Sequence, residues 1–85
     1  MAETTGLVQQ LKVDISGVAY AFIGPNQANV TSLAVQRTAG DTREQASVKD
    51  DIVAALAAAM VAYRPVTAVH GDTDSLITQL RVEPV

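Results

Sequence analysis

Imidazole and carboxylate come together at one place in this chain, the segment His70-Gly71-Asp72-Thr73-Asp74. His70, Asp72 and Asp74 could bind a divalent cation or hydrogen-bond the hydroxyls of a sugar. The spacing Asp72-x-Asp74 matches the opening of a calcium loop, but the later ligands and the closing glutamate do not follow. The same residue types form turns, and a solvated hairpin loop accounts for them without any ligand. Tyr20 is the fourth candidate: if its ring faces outward, it could stack on a sugar ring.

Other chemistry-bearing sets fail on context. Serine, histidine and aspartate are all present, but a single histidine beside a turn, with no nucleophile elbow, does not make a triad. Asp50 and Asp51 are adjacent carboxylates at the start of an expected helix, where they partner its dipole. Gly24-Pro25-Asn26 lacks the GxxxxGK of a phosphate loop. Asn29-Val30-Thr31 is a glycosylation sequon, a tripeptide common by chance. With no cysteine, disulfides and thiolate metal sites are excluded, and one histidine leaves little for a transition metal. No catalytic residue, metal or cofactor is expected. Tyr20, Phe22 and Tyr63 are too few for a base-stacking platform and read as core residues.

The charge balance narrows the partners. Net charge is −3, and the 6 basic residues, Lys12, Arg37, Arg43, Lys49, Arg64 and Arg81, are dispersed rather than striped. Nucleic acid, which needs a basic surface, is not an expected partner. Membrane insertion is not expected either. The uncharged run Ile52 to Tyr63 is well short of the roughly 20 residues that span a bilayer. The N-terminal Met-Ala-Glu-Thr-Thr has neither a basic nor an apolar signal region, which favours a cytoplasmic location.

The elements that must position these residues follow from periodicity. Leu7 to Ile15 alternates apolar and polar and reads as a half-buried strand. Ser16-Gly17 marks a turn. Val18 to Ile23 is a second strand with no polar face, so both faces are expected to be covered. Gly24-Pro25-Asn26 breaks it, and Val30 to Arg37 is a third strand. A helix over Ser47 to Arg64 follows, about 27 Å long. Thr42 with Gln45 makes a capping-box pattern, while Ser47 could cap a slightly later start. Asp50 and Asp51 then sit in the first turn and Arg64 at the far end, both suiting the dipole. Pro65 stops the helix. Val66 to His70 and Ser75 to Val82 are the last strands, followed by a tail of Glu83-Pro84-Val85.

The 85 residues form one domain, with an ordered core over about 7–82. A chain this short buries only about 60–65% of its unfolded surface, so something must supplement its core. With disulfides and metals excluded, oligomerisation remains. Hydrophobic residues make up 48% and charged ones only 18%, which fits a chain that hides surface in partners.

On a helical wheel Val48, Ile52, Val53, Leu56, Met60 and Tyr63 share one sector of about 140°, the face expected against the sheet. The opposite side carries Ala54, Ala57, Ala58, Val61 and Ala62, where a surface helix normally places charges. Alanine's helix propensity is one explanation. The other is a second contact face, since small residues let helices approach to about 8 Å. Burying those five groups would contribute roughly 4 kcal/mol per subunit. That is comparable with the whole stability of a marginal domain.

The element order βββαββ is that of a small five-stranded OB-fold-like barrel, mostly β, with its helix between strands 3 and 4. The same order, from Leu11 to Val82, resembles the B subunits of Shiga-type bacterial toxins. The stretch Pro65-Val66-Thr67-Ala68-Val69-His70, a polar loop, and Ser75-Leu76-Ile77-Thr78-Gln79-Leu80-Arg81 carry the likeness. Those subunits hold an intrachain disulfide, which this cysteine-free chain lacks. The resemblance implies a pentameric ring with helices lining a central pore and outer loops that bind cell-surface glycans. The expected function is a non-enzymatic homo-oligomeric binding module, with a glycan or protein ligand. A structural, scaffold or adaptor subunit without a small-molecule ligand is the alternative. A third is an enzyme whose site forms between chains.

Overall fold

A computed structural model describes residues 1–83; Pro84 and Val85 of the expected tail lie outside the described residues. The elements are β1 (Ala2–Val13), β2 (Val18–Asn26), β3 (Asn29–Gln36), α1 (Arg43–Ala62), β4 (Val66–His70) and β5 (Ile77–Val82). The strands form one sheet in the order β3-β2-β1-β4-β5, and each neighbouring pair is antiparallel. The two edges then approach each other. Ala34 on β3 bridges Leu76 in parallel, and its N–H donates to the Ser75 carbonyl at 2.8 Å. The sheet therefore curls into a small, partly open barrel, with α1 connecting β3 to β4 as expected.

β1 starts five residues earlier than Leu7, because it serves two partners. Ala2 to Gly6 pair with His70 to Val66 on β4, and Leu7 to Val13 pair with Gly24 to Ala19 on β2. Thr4-Thr5-Gly6 carries no alternation, so only the ladder to β4 reveals it as a strand. Gly6 sits where β1 passes close to β2; a Cβ there would stand 2.9 Å from the Gly24 Cα. Gly24 is tighter still, since its Cβ would lie 1.9 Å from the Asn29 carbonyl oxygen. Both positions need glycine for close backbone approach.

A bulge at Gln9 breaks the simple alternation of β1. Val8 pairs with Ile23 and Gln10 with Phe22, leaving Gln9 as the extra residue. Val8 is buried and Leu11, three positions on, also packs on the core. That spacing is impossible in an unbulged strand, where odd and even residues face apart. Val13 and Ile15, which share the alternation of Leu11, end exposed at the β1–β2 turn. On β2, Ala19, Ala21 and Ile23 point inward and are buried, whereas Val18, Tyr20 and Phe22 are only half-buried. The expectation that both faces of β2 are covered is corrected: the outer face is partly open.

α1 begins at the earlier of its two start signals. Gln45 N–H donates to the Thr42 hydroxyl at 3.1 Å, and the Gln45 side chain accepts the Thr42 N–H at 2.9 Å. The acid of the first turn is thus Glu44, not Asp50 or Asp51, and the last turn holds no base. Ile52, Leu56 and Ala59 are the buried residues of the helix, with Val53 and Met60 packed beside them. Val48, 53% exposed, and Tyr63, 79% exposed, do not join the inner face as the wheel placed them. Tyr63 follows the last helical residue, where its backbone has turned left-handed, with φ 54°. Ile23, Leu33, Leu56 and Val66 are the largest fully buried side chains. Each contributes about 1.5–3 kcal/mol by leaving water.

The loop before α1 is tied to it by Asp41. Its carboxylate accepts the Thr38 N–H and hydroxyl, both at 2.9 Å, and the Lys49 ammonium at 2.8 Å. The Lys49 contact, followed by the Thr38 N–H, holds the Asp41 carboxyl down to about 2.

Candidate functional site

The outer face of α1 divides in two. In its N-terminal half Arg43, Glu44, Ser47, Asp50 and Asp51 are exposed, and Asp50 faces Arg37 at 3.6 Å. From Ile52 to Ala62 no polar side chain occurs. Ala54, Ala58, Val61 and Ala62 are exposed there, with Val61 at 76%, and Ala57 is partly buried. The helix thus presents an apolar patch on the side away from the barrel. Among the described residues no helix is long and apolar enough to cross a membrane.

The His70 loop is internally bonded. His70 Nδ1 donates to its neighbour's carbonyl, that of Gly71, at 2.9 Å, which leaves Nε2 to accept from the Thr4 hydroxyl at 2.9 Å. The ring therefore staples β4 to the start of β1. Asp74 accepts the Leu76 N–H at 3.1 Å and shapes the turn into β5. Asp72 pairs with the Met1 ammonium at 3.4 Å on the open surface. Among the described residues no group of three or more His, Cys, Asp or Glu side chains is placed to hold a metal ion. The structure brings His70, Asp72 and Asp74 into one loop, as their sequence proximity requires, but in separate contacts.

Tyr20 lies on the outer face of β2, with the Lys12 ammonium 5.8 Å from its ring centre. β3 stands between Tyr20 and the His70 loop, since Tyr20 pairs with Ala34 and Ala34 bridges Leu76. Tyr20 is therefore outward-facing, yet it does not belong with the loop residues.

Sequence reasoning missed a different constellation, set around the β1 bulge. Gln9, re-aimed by the bulge, donates its amide to the Gly24 carbonyl at 3.0 Å. With Gln27 it borders two shallow depressions. One, of about 370 Å³, is completed by Gln10, Phe22 and Val30. The other, of about 610 Å³, reaches Leu7, Met60 and Tyr63 at the end of α1. The signal was faint: glutamines at 9, 10 and 27 flanking a half-apolar strand.

Compared with known proteins, the chain matches no family model, no curated protein and no solved structure.

Proposed function

We propose that this chain is a non-enzymatic binding module that works as a homo-oligomer, a pentameric ring built on the apolar half of α1, and that takes a carbohydrate on its outer surface. One observation carries the assembly: Ala54, Ala58, Val61 and Ala62 form an exposed apolar patch with no charged residue between Asp51 and Arg64. Alanine is small enough to let a second helix approach closely. Covering the patch would contribute roughly 3 kcal/mol per subunit, a substantial supplement to a domain of this size. The absence of a catalytic constellation in the sequence supports binding over chemistry.

A structural or adaptor subunit with no small-molecule ligand is the second reading. It is supported by the internal engagement of His70, Asp72 and Asp74, the loop first expected to meet a ligand.

Light scattering on a size-exclusion column at micromolar concentration tests the assembly. A mass several times 8.9 kDa is expected, and a monomer mass would overturn it.

A further inference from the structure

The two depressions that share Gln9 and Gln27 are set apart by charge from two others. Neither is lined by a charged side chain. The other two marked depressions both include Lys49, one with Asp50 and the other with Glu44. A site without charge does not favour phosphates, carboxylates or acidic sugars. Its polar groups are amides, and each amide offers both donors and an acceptor, the pattern that neighbouring hydroxyls require.

Each depression also has one aromatic ring. Phe22 lines the first and Tyr63 the second. The placement of Tyr63 is unusual. Its N–H donates to the Met60 carbonyl at 3.4 Å and the Arg64 N–H to the Ala59 carbonyl at 3.0 Å, the paired bonds of a Schellman motif. The left-handed residue of that motif is usually glycine, and a bulky side chain at φ 54° is strained. Glycine would make the same bonds without strain. The ring is 79% exposed, so core packing does not explain the tyrosine. Strain held at an exposed aromatic points to a use for the ring.

From these observations we infer that the adjoining depressions form one binding groove for a neutral oligosaccharide of at least two rings. One ring lies against Phe22 and the next against Tyr63. The amides of Gln9 and Gln27 stand between them and hydrogen-bond the hydroxyls flanking the linkage. Gln9 is held in place by the Gly24 carbonyl, so its amide is oriented before the ligand arrives. The volumes, about 370 and 610 Å³, lie in the range of small-molecule sites, roughly 300–1,000 Å³. This inference rests on the carbohydrate part of the proposed function and is independent of ring assembly.

The test is an amide chemical-shift titration of the full chain with maltotriose, cellotriose and chitotriose at millimolar concentration. Shifts centred on Gln9, Phe22, Gln27 and Tyr63 with at least one of them are expected. Tyr63→Gly is expected to raise the melting temperature and weaken that binding by about tenfold or more, the equivalent of one lost aromatic contact. Opposite signs for stability and affinity would not arise from a merely structural tyrosine. Phe22→Leu, which keeps an apolar side chain, is expected to weaken binding similarly. Shifts confined to the His70–Asp74 loop would overturn this groove while sparing the carbohydrate reading. No shift with any of the three sugars overturns the groove. If a mixed glycan array is also blank, the carbohydrate reading falls with it. Neutral peptides that shift these residues where the sugars do not would likewise overturn the assignment.

Discussion

The two halves of the outer face of α1 have the same backbone geometry and opposite chemistry. Arg43, Glu44, Ser47, Asp50 and Asp51 cover the first half, and Ala54, Ala58, Val61 and Ala62 the second. Helix propensity cannot account for the difference, because glutamate, lysine and arginine are nearly as favourable as alanine in a helix. The polar half also does tertiary work. Lys49 beside it anchors the Asp41 loop, and Asp50 pairs with Arg37 near the end of β3. The second half makes no such contacts and ends at a strained tyrosine. On the proposed assembly, the first half meets water and the second meets another subunit.

The largest effect expected from breaking that contrast is on assembly. Ala58→Glu would place a charge in the apolar half, and an unpaired buried charge costs several kcal/mol. Its scattering mass should fall to that of the subunit, 8.9 kDa, while Ser47→Glu, in the polar half, should leave the mass unchanged. Equal responses from the two variants would erase the distinction between the halves.

Leu56→Ala probes the inner side of the same turns. Leu56 is fully buried, so the truncation should cost about 2–5 kcal/mol in urea unfolding. A loss below that range would mean that α1 packs more loosely on the barrel than described.

The two helix ends should respond in opposite directions. Thr42→Ala removes the capping hydroxyl and should cost about 1 kcal/mol. Tyr63→Gly relieves the left-handed backbone and should stabilise by about 1 kcal/mol. Both are read as shifts in denaturation midpoint.

The smallest expected effect is acid sensitivity at the polar half. The Asp41 carboxyl is held down to about 2 in the fold, against 3.8 ordinarily, chiefly by Lys49. Its stabilising contribution is therefore complete above pH 3.8 and is lost as pH falls through about 2. Unfolding midpoints measured across that window should decline in the parent chain and decline less steeply in Asp41→Asn. Identical profiles would show that the Lys49 contact is too weak to matter.

The legible parts of this fold are those written in local signals. The apolar run Val18–Ile23, the alternation of Val30–Arg37, the Thr42–Gln45 pair, and Pro65 after the helix are enough to define the order βββαββ, although β3 ends at Gln36. β4 is legible at both ends, because Val66-Thr67-Ala68-Val69-His70 lies between a proline and a loop. The ligand-binding candidates were less legible. His70 looked free in the sequence because its hydroxyl partner, Thr4, is 66 residues away. Tyr63 looked like core because a helical wheel extends the helix past its real end.

By itself, then, the sequence determined the order of strands and helix and which half of that helix lacks polar cover, since each depends on residues within a turn or two; the span Ser47 to Arg64 read from it starts four residues after Arg43 and ends two after Ala62. Only the tertiary structure decided that β1 begins at Ala2, that Gln9 is a bulge and that Tyr63 faces outward. The first depends on a ladder to β4 some sixty residues on. The second inserts one residue into a period of two, which reverses every side chain beyond it. The third depends on a single backbone angle that no apolar pattern encodes.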